Sequence, residues 1–78
     1  MYLIVGAKGF LGSYLIKNIL SMTKEDVVAA DVNYVETEQN PRLSWQNCDI
    51  TKEKDVEKLR EYLKEKNDIK VIYLPVYF

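Results

Sequence analysis

All three glycines of this 78-residue chain fall in one short stretch, Gly6-Ala7-Lys8-Gly9-Phe10-Leu11-Gly12. No other feature limits the backbone as tightly. The apolar run Tyr2-Leu3-Ile4-Val5 precedes it and a helix-like pattern follows, so the chain reads as strand, glycine turn, helix. Gly6 lets the chain leave the strand in a turn where a Cβ would clash. Gly9 lets the backbone come close to a pyrophosphate, and Gly12 lets the helix pack tightly on the strand. The helix then starts with free N–H groups and a partial positive charge, both suited to an anion.

Residues 1–5 predict a strand buried on both faces, as a parallel sheet requires. Residues 10–22 predict a helix, with Leu11, Leu15, Ile19 and Met22 as its apolar stripe. Val27-Val28-Ala29-Ala30-Asp31 is a second buried strand, and it ends on a carboxylate 19 residues after Gly12. At that distance an acid can accept hydrogen bonds from both hydroxyls of an adenosine ribose. It would also repel a 2′-phosphate, and no Lys or Arg follows before Arg42. Residues 33–42 are polar and read as a loop. Residues 43–48 read as a third strand with Trp45 half-buried, followed by Asp49-Ile50. Residues 52–66 form the second helical pattern, with Val56, Leu59 and Leu63 on its buried stripe and Tyr62 beside it. Residues 69–74 read as a fourth strand with Val71-Ile72-Tyr73-Leu74 as its buried centre, and Pro75 marks its end. Right-handed crossovers then give one α/β domain: a parallel sheet of about four strands, order 3-2-1-4, with helices on both faces.

The spacing G-x-x-G-x-x-G, filled as Gly6-Ala7-Lys8-Gly9-Phe10-Leu11-Gly12, resembles the cofactor loop of the NAD-dependent epimerase/dehydratase family, the extended short-chain dehydrogenases. The chain departs one residue earlier, where Val5 stands in place of the family's usual Thr, and again at Pro75-Val76, where the family has Ala-Ala. The resemblance implies a partial Rossmann fold covering the first part of the family's domain. It implies NAD, preferred over NADP, held by Gly6, Gly9, Phe10, Leu11, Gly12, Asp31 and Leu74. It also implies that Asp49 accepts from the adenine amine while Ile50 packs on the ring. On the residues alone, Asp49 and Thr51 serve equally as N-caps of the next helix.

The family's chemistry implies a Tyr-x-x-x-Lys pair on a later helix. Tyr62-Leu63-Lys64-Glu65-Lys66 matches by spacing only, since it precedes the fourth strand. Six Tyr and nine Lys supply such a coincidence readily, so no catalytic residue is assigned. Cys48 is the only cysteine and histidine is absent, which excludes an intramolecular disulfide and a zinc cluster. A net charge of −1 offers no attraction to nucleic acid or to a membrane surface. With no spanning segment and no leader, the cytoplasm is the expected compartment.

Three functions remain open from the sequence: the cofactor-binding part of a nucleotide-sugar epimerase or dehydratase, a self-sufficient nucleotide-binding module, or an assembly unit without ligand. One helix per face leaves apolar sheet uncovered, and the fourth strand offers an open edge. A homo-oligomer that covers both is therefore expected.

Overall fold

The computed structural model describes residues 1–32 and 40–74. The expectations placed on residues 33–39 and 75–78, including the Pro75-Val76 departure, lie outside the described residues. The elements are β1 (Tyr2–Val5), α1 (Phe10–Met22), β2 (Val27–Asp31), β3 (Leu43–Asn47), α2 (Glu53–Leu63) and β4 (Lys70–Tyr73). The strands form one sheet in the order β3-β2-β1-β4 with every pairing parallel. Val5 stands beside Ala30 and Tyr73, and Asp31 stands beside Asn47, so the C-terminal ends of all four strands share one edge.

The strand period of two divides the apolar residues between two cores. Ile4, Val27, Ala29 and Leu43 face α1 and pack with Ile16, and with Leu15, Ile19 and Leu20 at the margin. Leu3, Val5, Val28, Ala30 and Cys48 face the other side, against Leu59, Tyr62 and Leu63 of α2. Ile4, Val27 and Val28 are the largest wholly buried side chains, so the β1–β2 pair is the centre of the fold. Truncating Ile4 to Ala would cost about 2–5 kcal/mol, a large share of the stability of so small a domain.

Two expectations about burial are corrected. Leu11 and Met22 do not belong to the buried stripe of α1: they are 54% and 80% exposed. The buried face runs through Gly12 and Ile16, because Gly12 is the point at which the helix touches the preceding turn. The centre of β4 is only half covered as well. Ile72 and Leu74 pack on the α1 side, whereas Val71 and Tyr73 are 61% and 48% exposed on the α2 side. A single helix cannot reach across four strands. Helix α2 is also shorter than its charge pattern suggests, and Lys52 takes its N-cap position with no side-chain hydrogen bond, so neither Asp49 nor Thr51 caps it. Neither helix among the described residues is long and apolar enough to cross a membrane.

The N-terminal edge of the sheet is fastened by charge. The Arg42 guanidinium donates to the carbonyls of Leu20, Thr23 and Glu25, closing the end of α1 onto the start of β3. The Glu25 carboxylate accepts from the Met1 α-ammonium at 2.7 Å and from Lys70 Nζ at 3.0 Å. The ammonium bond first, and then the Lys70 bond, hold the Glu25 carboxyl below its ordinary pKa of 4.5. A lowered folded pKa contributes stability that is complete above 4.5 and lost as pH falls through the folded value. Glu25→Gln should therefore lower the urea midpoint at neutral pH, and the gap from wild type should narrow when the pH is taken from neutral to well below 4.5. An equal gap at both pH values would show that the carboxylate's charge contributes nothing.

Candidate functional site

A cleft of about 530 Å³ opens at the C-terminal ends of the strands, within the usual size of small-molecule sites. It lies where the chain order reverses. From β1 the connection runs to β2 on one side, while β3 returns past it to β4 on the other. This is the crevice in which open parallel sheets bind ligands. Gly6, Lys8 and Gly9 line it from the turn after β1, and Ala30, Asp31 and Val32 from the end of β2. Cys48, Asp49 and Ile50 line it after β3, and Tyr73 and Leu74 at β4.

The turn is built by three different uses of glycine. Gly6 has φ of +82°, and a Cβ there would strike the Leu74 carbonyl. Gly12 has ordinary helical geometry, but a Cβ would lie 2.6 Å from the Ala7 carbonyl carbon and Cα. Its close approach is thus to the turn itself rather than to the strand. Gly9 is unlike both. Its φ is −72°, open to any residue, and a Cβ would meet nothing within 4 Å among the described residues. Their packing gives no reason for glycine there. Gly9 is the N-cap of α1 and supplies no side-chain cap, and the first turn carries no acidic residue. The helix therefore presents its first N–H groups without a side-chain cap or an acid of its own first turn.

Asp31 stands beside this helix end. Its Oδ2 accepts from the Lys8 backbone N–H at 2.8 Å and its Oδ1 from the Val32 N–H at 2.7 Å. A carboxylate has roughly four acceptor sites, so among the described residues capacity remains on each oxygen. Asp49 is committed locally. Its Oδ1 accepts from both the Thr51 N–H and the Thr51 hydroxyl, at 2.9 and 2.6 Å, and these bonds, the hydroxyl's first, hold its pKa below the usual carboxylate range. The Asp55 carboxylate accepts from the Asp49 N–H at 3.0 Å, which ties this corner to α2. Ile50 is partly exposed at the rim. Burial first, then the charges of Asp55 and Asp49, push the Cys48 thiol up, so it behaves as a packing group.

The sequence-predicted residues Gly6, Gly9, Asp31, Asp49, Ile50 and Leu74 are thus brought to one cleft. Phe10, Leu11 and Gly12 are not on its wall. The side chains of Phe10 and Leu11 face solvent, so any part these three play runs through their backbone N–H groups. Tyr62 and Lys66 lie outside the cleft: Tyr62 packs on the α2-side core and Lys66 Nζ sits 5.2 Å from its ring centre. Sequence reasoning overlooked Lys8, the one cation on the cleft wall among the described residues. It looked for cations after Asp31, whereas Lys8 lies before it in the chain and next to it in space. Arg42, the cation it did weigh, is bound at the opposite edge of the sheet.

A model of the NAD dependent epimerase/dehydratase family matches residues 2–75. Among solved structures, a short chain dehydrogenase family protein from Francisella tularensis subsp. tularensis SCHU S4 superposes with a TM-score of 0.76 at 19% identity. The match covers 91% of this chain and 29% of that one, and at this identity it is a likeness of fold. The PbgP3 protein from Burkholderia pseudomallei superposes with a TM-score of 0.66 at 28% identity, over 91% of this chain and 22% of that one. This chain therefore spans less than a third of either protein. No curated protein matches it.

The glycine geometry separates fold from site. Gly6→Ala and Gly12→Ala should each destabilise the chain by about 1–3 kcal/mol or more, through enforced overpacking. Gly9→Ala should leave the urea midpoint within about 0.5 kcal/mol of wild type. A Gly9→Ala loss as large as that of Gly12→Ala would show that Gly9 also serves the fold.

Proposed function

The chain belongs to the NAD dependent epimerase/dehydratase family, and on that premise we propose that it is the NAD-binding segment of a nucleotide-sugar epimerase or dehydratase. The observation that carries this reading is Gly9: among the described residues nothing packs where its side chain would be, and a pyrophosphate needs that space. In this reading the N–H groups at the start of α1 hold the pyrophosphate. Asp31 accepts from the ribose hydroxyls with the capacity its two backbone bonds leave free, and Asp49 and Ile50 take the adenine. When bound, NAD supplies a hydride acceptor. No residue described here is assigned a proton-transfer role, so the segment binds and orients the cofactor and is not catalytic by itself.

NAD is favoured over NADP because Asp31 faces the position of a 2′-phosphate and Arg42 is spent on three carbonyls at the far edge of the sheet. Lys8 favours the opposite preference, since it lines the same cleft beside Asp31. The proposal extends to assembly and place. Exposed Val71 and Tyr73 beside the β4 edge suit a homo-oligomer that buries them, and the free Cys48 thiol suits the reducing cytoplasm.

Calorimetry tests the site. NAD affinity should fall about tenfold to a hundredfold in Gly9→Val, whose side chain fills the space left for the pyrophosphate. Equal affinity in wild type and variant would remove the site from this cleft. The wild type should bind NAD more tightly than NADP, and tighter NADP binding that is lost in Lys8→Ala would establish the opposite preference. Light scattering that reports a folded monomer at micromolar concentration would overturn the assembly reading.

A further inference from the structure

We infer that Asp31 is a positioning residue for the glycine turn, tethering it to β2 before any ligand arrives. The inference deepens the proposed ribose role of Asp31 and draws on that role only for its effect on affinity. Three consecutive N–H groups after β1 point to the end of β2. Those of Gly6 and Ala7 share the Ala30 carbonyl at 2.9 and 3.3 Å. Any residue at position 30 would supply that acceptor. The third, from Lys8, ends on a side chain, Oδ2 of Asp31, across 23 residues of sequence. The other oxygen is held by Val32 N–H, so the carboxylate is oriented at both ends and bridges strand to turn.

Ala7 on one flank is buried beneath Gly12, and between it and the helix the Lys8 bond is the one hydrogen bond back to the sheet among the described residues. Gly9 has open space where a Cβ would be, and the next backbone bond along the chain is Ser13 N–H to the Gly9 carbonyl at 3.0 Å. The Asp31 bond therefore ties the Lys8 backbone, and through it the approach to Gly9, to the end of β2. One carboxylate serves the turn and the ligand's hydroxyls together. A substitution made to relax cofactor choice then also frees the turn. Asp31→Ser should narrow the difference between NAD and NADP while lowering the affinity for both.

Amide hydrogen exchange of the 78-residue chain without ligand tests the tether directly. In wild type the Lys8 N–H should exchange more slowly than those of Phe10 and Leu11, which lie in the first turn of α1 and have no intrahelical acceptor. In Asp31→Ala the Lys8 rate should rise about tenfold or more, while Ala7, still bonded to Ala30, stays protected. Asp31→Asn keeps an oxygen and loses the charge, and should fall between the two. Wild-type Lys8 exchanging as fast as Phe10 and Leu11 would overturn the tether even if Asp31→Ala failed to fold. An Asp31→Asn rate equal to that of Asp31→Ala would assign the effect to charge alone and overturn it too. Titration with NAD is a separate measurement: a protected Lys8 in a chain that binds no NAD retains the tether and removes the ribose role.

Discussion

The contact of Gly12 with the backbone of Ala7 sets the geometry from which the other elements take their places. A helix that starts four residues after a strand has almost no chain with which to turn and settle on the sheet. Here it does so by laying its own first turn directly on the preceding loop, with no side chain between them. That contact fixes the rotation of α1 about its axis, which turns Ile16 inward and leaves Leu11 outside. It also brings the positive end of the helix to the edge where all four strands end. Gly6 makes the matching demand on the other side, where the turn passes the Leu74 carbonyl too closely for a side chain.

With the turn in place, the two cores follow from the sheet. β1 and β2 alternate their apolar residues between α1 and α2, and each helix closes one face of that central pair. Small residues matter here as much as large ones. Ala29 and Ala30 are wholly buried on opposite faces, and they let the backbone of β2 lie close beneath the covering layers. Cover thins away from the pair, which is why β4 carries exposed Val71 and Tyr73.

The two ends of the sheet are electrostatically different. At the N-terminal edge Arg42 is bonded to the carbonyls at the end of α1, and Glu25 to the Met1 ammonium and Lys70. At the C-terminal edge the bonds leave capacity over. Asp31 and Asp49 each retain acceptor sites, and the start of α1 retains donors. An edge satisfied internally serves the fold, whereas one with donors and acceptors left facing a cleft is equipped to receive a ligand.

The order of the elements and the position of the turn were legible in the sequence, because they follow from local periodicity and from where glycine is obligatory, and the strand order 3-2-1-4 followed once the right-handed crossover rule was applied to them. Each strand was located to within about a residue for the same reason. The family resemblance carried by the glycine spacing held over residues 2–75. What only the tertiary structure decided was long-range pairing. α1 has apolar residues at positions 11, 15, 16, 19, 20 and 22, enough to draw more than one stripe, and the contact of Gly12 with Ala7 selected among them. Arg42 was the first cation after Asp31 in the chain, and parallel pairing carries it with the start of β3 to the far edge. Lys8 carried no assignment in the sequence, and the fold set its N–H on Asp31, 23 residues away. Sequence spacing cannot express such partners, because they are set by which strands lie side by side.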